Sequence, residues 1–375
     1  MASKRISELG LRIGELPGGP LNAITDVPGV QVGHVTLVSG EGTLRPGSGP
    51  VRTGVTVVLP HSGNLYQEKV RAAVHTINGY GKVCGFEQVR ELGVLEAPIA
   101  LTNTLNVGLA LDGMVQAAIR QNPQIGVAAG SGSINIVVGE TNDSYLNDLQ
   151  GRHVKAEHIW QALEQARSGP VAEGAVGAGA GTLCYGWKGG IGSASRRLPE
   201  ALGGYTLGAL VQSNFGSRQE LIVTGVPVGR WLDPASAPPL LPHGSIMMTL
   251  ATDAPLSSRQ LQRLCVRCSA GLARTGSSLT HGSGDFVIAF STAQRIPHHP
   301  ASLTAMQTQV VDEGPMMNGL FQAVIESIEE AVLNSLTCAQ TVIGRDGHIA
   351  QAIPLEQLVD LLRKPRAGLP GLTGL

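Results

Sequence analysis

Aromatic side chains make up only 3% of this 375-residue chain, and charged residues only 15%. With so few rings, Val, Leu, Ile and Ala must fill the core, and at 42% hydrophobic residues there is material for a large one. Disorder, collagen and coiled coil are excluded on the same grounds. The five cysteines, Cys84, Cys184, Cys265, Cys268 and Cys338, are too few and too scattered for a disulfide framework and read as reduced thiols. No charge sign dominates: the formal net charge is −1 with acids and bases interspersed, so neither nucleic acid nor an anionic membrane is an expected partner. The N-terminal MASKRISELGLRIG lacks the apolar centre of an export signal, and no run approaches the ~20 apolar residues of a membrane span. Cytoplasmic residence is the expectation. No internal repeat is visible.

Glycine is abundant instead, at 50 residues, which suits tight turns and close backbone approach. Strand-length apolar runs recur at Val30 to Leu37, Gly54 to Pro60, Ile134 to Val138, Tyr205 to Val211, Leu221 to Gly225, Ile246 to Ala251 and Phe286 to Phe290. Several are nearly continuous, so both sheet faces should be covered. Helical spacing marks Arg259 to Leu272, behind a Ser257-x-x-Gln260 capping box, and Met317 to Leu336. The mixture reads as sheets between helix layers. One compositional break stands out, the proline-rich Pro227 to His243, which ends at Gly244-Ser245 and leads at once into a buried strand.

A serine at that junction is where an N-terminal nucleophile could be released. Cutting the preceding bond would give Ser245 an α-amine beside its own hydroxyl, and a reference pKa of ~7.7–8.0 leaves part of that amine neutral at pH 7. Bare Gly-Ser is a weak motif, shared for example by Gly192-Ser193 and Gly276-Ser277, and on pattern alone an ordinary loop-to-strand junction is the better explanation. In Ser283-Gly284-Asp285, a hydroxyl and a carboxylate two residues apart fall on one face if the strand begins early, although the same string is good turn chemistry. Asn214 follows the apolar strand Tyr205 to Val211 and could donate to an oxyanion, worth ~2.7–4 kcal/mol where measured, or could simply turn the chain before Gly216. Glu140 follows the strand Ile134 to Val138; partly desolvated, it could hold a substrate ammonium for ~4 kcal/mol against ~1 in water, and solvated it would be an ordinary loop acid. Two lures are discounted. Gly174 to Gly181 lacks nucleotide-loop spacing and reads as backbone packing, and Cys265-x-x-Cys268 lies on a helix's apolar stripe and reads as core.

Together these residues resemble the self-cleaving L-aminopeptidase/D-esterase (D-aminopeptidase) and β-peptidyl aminopeptidase family. The likeness runs through Leu21-Asn-Ala-Ile-Thr-Asp-Val-Pro-Gly29, Arg52-Thr-Gly-Val-Thr56, Gly169-Pro-Val-Ala-Glu-Gly174, Lys188-Gly-Gly-Ile-Gly192, Leu210-Val-Gln-Ser-Asn214, Ala251-Thr-Asp-Ala-Pro-Leu256 and Ser283-Gly-Asp285. The resemblance implies one catalytic domain over 1–375, an αββα four-layer sandwich like that of N-terminal-nucleophile hydrolases, with connectivity shared with ornithine acetyltransferase. It implies self-cleavage between Gly244 and Ser245 into fragments 1–244 and 245–375 that stay together. By the same resemblance Ser245 is nucleophile, Asn214 the oxyanion donor, Ser283 and Asp285 the pair that positions the nucleophile, Glu140 the acceptor of the substrate amine, and Tyr145 a neighbour of the site. Some β-peptidyl members carry Glu where Asp285 stands. The resemblance implies no cofactor or metal; it implies small peptides, amides and esters with a free amino terminus as substrates, and a homo-oligomer, a tetramer of processed heterodimers. The alternative activity is acyl transfer of the ornithine acetyltransferase kind, against which the serine speaks, since those relatives use threonine.

Overall fold

The computed structural model describes residues 3–127, 129, 132–232 and 244–364; of the proline-rich segment, 233–243 lie outside the described residues. In chain order the longer strands are β1 (Gln31–Ser39), β2 (Val51–Leu59) and β3 (Glu68–Gly79), then the short β4 (Val94–Leu95), β5 (Ile99–Asn103) and β6 (Val137–Thr141). A small hairpin, β7 (Leu183–Cys184) and β8 (Trp187–Lys188), precedes β9 (Ile191–Arg197), β10 (Thr206–Asn214), β11 (Ser245–Thr252) and β12 (Gly284–Pro297); β13 (Val342–Ile343) and β14 (Ile349–Ala350) close the series. The helices are α1 (Phe86–Leu92), α2 (Val107–Gln121), α3 (Ala156–Gln165), α4 (Ser258–Arg274), α5 (Pro315–Thr337) and α6 (Leu355–Arg363).

Besides the two-stranded pairs β7-β8 and β13-β14, the described residues form two larger sheets, one ordered β1-β2-β5-β6 and one ordered β4-β3-β12-β11-β10-β9. Side-chain alternation sorts their apolar residues into three layers. Val58, Leu101 and Val137 of the first sheet meet Leu210, Met247 and Phe286 of the second. On the far side of the first sheet, Val57, Ala100 and Val138 pack on Met114 of α2 and Ile159 of α3. On the far side of the second, Val211, Met248 and Val287 pack on Leu264 of α4 and Val324 of α5. The order is therefore helix, sheet, sheet, helix. Burial on both faces is why these strands read as unbroken apolar runs. Among the described residues no helix is long and apolar enough to cross a membrane.

The helix readings hold. Ser257 caps α4, accepting from the Gln260 backbone, and Cys265 and Cys268 face the core. The glycine run packs main chain on main chain: a Cβ on Gly179 would lie 2.6 Å from Gly190 Cα. Two strand expectations are corrected. Leu221 to Gly225 is no strand but a tight turn, in which Val223 and Val226 exchange backbone hydrogen bonds around Thr224 and Gly225, both at positive φ. Its apolar residues are there because the turn is pressed into the layer beneath α4 and α5. The strand placed at Ile134 to Val138 begins only at Val137 and runs to Thr141, which brings Glu140 inside it.

Candidate active site

Ser245 is the first residue of β11, in the middle of the six-stranded sheet, and only 4% exposed. Its antiparallel neighbour is Asn214, the last residue of β10, and its parallel neighbour is Gly284, the first of β12. Opposed residues share a face, so the Asn214 amide lies over the serine: Nδ2 donates to Ser245 Oγ at 3.4 Å. The other end of that amide accepts from the Leu183 backbone N–H at 3.1 Å. A backbone N–H can only donate, so the oxygen must face Leu183 and the NH2 group must face the serine. The ladder also engages the preceding carbonyl, because Gly284 N–H donates to Gly244 O at 3.2 Å.

Ser283 Oγ donates to Asp285 Oδ1 at 2.6 Å, and the loop that carries them is pinned by Asn78 Nδ2 donating to the carbonyls of Thr280, His281 and Ser283. Asp285 Oδ2 is buried with no hydrogen-bond partner among the described residues. Burial pushes this carboxyl up to about 6, opposed by the Ser283 hydrogen bond. Asp285 is paired with Ile246, not with Ser245, so alternation sets it on the face toward α4 and α5, while Ser245 shares the inter-sheet face with Met247. The carboxylate and the Ser245 hydroxyl thus take opposite faces of the sheet.

Glu140 comes from the other sheet. It is 3% exposed, accepts from the Lys82 backbone N–H at 2.9 Å and from the Thr104 hydroxyl, and is raised above the usual carboxylate range by burial. Gly81 lies between it and the ladder: a Cβ there would sit 3.3 Å from Glu140 Oε1, 3.2 Å from Gly284 Cα and 2.8 Å from the Phe286 ring. Tyr145 meets the site less directly. Its ring stacks on His348, 4.5 Å between centroids, and packs on the cluster containing Leu183, whose N–H holds Asn214.

Sequence reasoning passed over Lys188, quoted only as part of a motif. It is fully buried on β8, and its Nζ donates to the carbonyls of Gly179, Thr182 and Gly189 at 2.8, 2.8 and 2.7 Å. A lysine in an apolar, glycine-rich stretch was the available signal, since lysine is almost never fully buried unless paired. Among the described residues no group of three His, Cys, Asp or Glu side chains is placed to hold a metal ion.

The sequence matches the model of Peptidase family S58 over residues 22–350. It is 40% identical to beta-peptidyl aminopeptidase BapA of Sphingosinicella microcystinivorans over 96% of this chain and 92% of that one. Among solved structures, the PH0078 protein of Pyrococcus horikoshii OT3 superposes with a TM-score of 0.91 at 49% identity, covering 96% of this chain and 99% of its own. The L-aminopeptidase D-ala-esterase/amidase of Ochrobactrum anthropi, described as a variant of the Ntn hydrolase fold, superposes with a TM-score of 0.88 at 39% identity, covering 96% and 98%. With its helix-sheet-sheet-helix layering matched over almost its whole length, the chain belongs to peptidase family S58 and is a hydrolase of the aminopeptidase kind.

Proposed function

We propose that this aminopeptidase works through an acyl-enzyme on Ser245, which becomes its nucleophile when the chain cuts itself after Gly244. The observation that carries the reading is the pairing at the head of β11: a buried serine hydroxyl under an amide NH2 group, with the carbonyl before it held by Gly284 N–H. In maturation Ser245 Oγ attacks the Gly244 carbonyl carbon, the C–N bond breaks, and the nitrogen takes up the proton. The product is an ester to Oγ beside a free amine, and water hydrolyses it. In turnover Oγ attacks the carbonyl after the substrate's first residue. The α-amine of Ser245 takes the hydroxyl proton and returns it to the departing amine or alkoxide, and water releases the acyl group. Asn214 Nδ2 stabilises the oxyanion in this scheme, and Ser283 with Asp285 holds the new ammonium at the strand end. Glu140 receives the free amino group of a small peptide, amide or ester; its two hydrogen bonds leave a desolvated carboxylate for which a cation is the best partner.

The test is an intact-mass spectrum of wild type beside Ser245→Ala. Two fragments divided between 244 and 245 are expected for the first, and one uncut, inactive polypeptide for the second. A wild type that stays whole while active, or an active Ser245→Ala, removes the mechanism. Turnover of an amino-acid anilide with and without an acceptor amine separates hydrolysis from acyl transfer.

A further inference from the structure

A lysine ammonium has three N–H bonds to give, and Lys188 spends all of them on main-chain carbonyls, with no carboxylate in contact among the described residues. Three carbonyls at 2.7–2.8 Å match the charged form, since a neutral amine has only two donors. One of the three is Thr182 O, which belongs to the same peptide group as Leu183 N–H. That N–H donates to Asn214 Oδ1, and Asn214 Nδ2 donates to Ser245 Oγ. Cation, peptide and side-chain amide thus form one line of dipoles with every positive end directed at the serine.

The hairpin that builds this line is itself fixed. Leu183 is paired with Lys188 across a two-residue turn, Tyr185-Gly186, in which both residues have positive φ. The buried Tyr185 is anchored by its N–H to Phe215 O and by its hydroxyl to Thr275, and Lys188 N–H is bound to Gln351 O. Gly179 and Gly189, which supply the other two carbonyls, are spaced so tightly that no side chain fits; a Cβ on Gly189 would lie 2.6 Å from Cys184 Cβ. The chain has been wrapped around this ammonium. Burial pulls Lys188 down to about 7, and the negative charge of the buried Asp143 acts the other way.

We infer that Lys188 is a positioning residue for the oxyanion donor: through the Thr182–Leu183 peptide it orients and polarises the Asn214 amide, so that Nδ2 gives a stronger hydrogen bond to charge developing next to Ser245. An ammonium on a carbonyl draws electrons from the amide and makes its N–H a better donor, and the next amide responds in the same sense. Such chains strengthen by about 10–30% per bond. The gain is realised when the oxyanion forms, so it belongs to kcat rather than to substrate binding. The inference rests on the reading of Ser245 and Asn214 given under Proposed function.

The test compares Lys188→Met and Lys188→Gln, each alone and combined with Asn214→Ala, with kcat normalised to the cleaved fraction seen by mass spectrometry. Gln retains hydrogen bonds to the carbonyls without the charge, so a merely structural lysine would be rescued by it. The expected result is a kcat lower on the order of ten-fold in both variants, KM within two-fold of wild type, and no further loss when Asn214 is already Ala. Wild-type kcat in Lys188→Gln, or an equal loss in both backgrounds, overturns the inference. If neither variant folds, 15N NMR of the lysine side chains in the wild-type enzyme decides: a neutral Nζ at the pH of maximal turnover overturns it, and an ammonium supports it. An Asn214→Ala variant with unchanged kcat, or an active Ser245→Ala, would fault the underlying reading instead.

Discussion

At the scale of single residues the proposed mechanism poses a problem of bases, because the α-amine that would serve turnover does not exist until the chain is cut. Asp285 is the buried carboxyl nearest in the ladder, with one oxygen committed to Ser283 and the other free. Raised to about 6, it is protonated and neutral below that pH and charged above it. If its charge assists cleavage, self-processing of freshly refolded precursor is slow at pH 5, rises through about 6 and levels above 7, and Asp285→Asn abolishes that rise. Fragment formation followed by gel over time checks this; a wild-type rate constant flat from pH 5 to 7 removes the carboxylate from the step. The sequence showed which residue types were present but not which faced one another. Ser245 and Asn214 were legible as strand-end residues, yet their apposition is a matter of register between strands separated by a long connection. Glu140 was expected just past its strand and lies within it, because the run pairs late: Asn135 gives its N–H to Glu96 and its side-chain amide to Gly85 O, so Ile134-Asn-Ile stays outside the sheet. Lys188 gave no periodic signal, since its partners are backbone carbonyls, which any sequence possesses.

Elements were legible where one physical pattern ruled them. The heptad-like stripe and capping box of α4 and the continuous apolar runs of β11 and β12 follow directly from burial. β3 escaped notice because Glu68-Lys-Val-Arg-Ala-Ala-Val-His-Thr-Ile-Asn-Gly79 mixes charge with small residues, although it occupies an inner place beside β12. β9 was missed for a different reason: its Gly-Ser-Ala-Ser run is small so that α5 can lie directly on the strand. A Cβ on Gly192 would approach Ala331 O to 1.9 Å and Ser335 N to 2.7 Å, both main-chain atoms of that helix. Gly192→Ala is therefore expected to cost at least about 3 kcal/mol by overpacking, or to prevent folding. Gly108→Ala is the contrasting case, an exposed position in α2 with nothing within 4 Å of the new Cβ, and should gain about 0.5–1 kcal/mol from helix propensity and reduced unfolded-state entropy. Urea melts of the two variants beside wild type check both signs. If Gly192→Ala melts like wild type, the strand and helix are not in backbone contact.

Over the whole molecule, the proposed cut would divide the six-stranded sheet in an interlaced way. Residues up to 244 supply β4 and β3 on one side and β10 and β9 on the other, and residues from 245 supply the two central strands, β12 and β11. The later fragment is thus a wedge bound by two ladders, β3 to β12 and β10 to β11. Its helix α5 is tied to the earlier fragment by buried ion pairs from Arg196 to Glu326 and Glu330, at 3.0 and 2.6 Å. Ile6 N–H adds a hydrogen bond to Asn334 at 2.9 Å. Removing the wedge would strip both ladders of partners and expose to water the apolar faces that β11 and β12 bury against both neighbouring layers, at about 25 cal/mol for each Å² of apolar surface. The fragments should therefore remain one particle through native chromatography and native mass spectrometry, and separate only in denaturant. The proposed cleavage would also change the order of unfolding: one particle would give two chains, so its stability would gain about 1.4 kcal/mol for each ten-fold rise in protein concentration. The urea midpoint of cut wild type should rise with concentration more steeply than that of uncut Ser245→Ala measured alongside it. Equal slopes for the two proteins would mean that the pieces part before the sheet unfolds, and that the interlacing does not hold them.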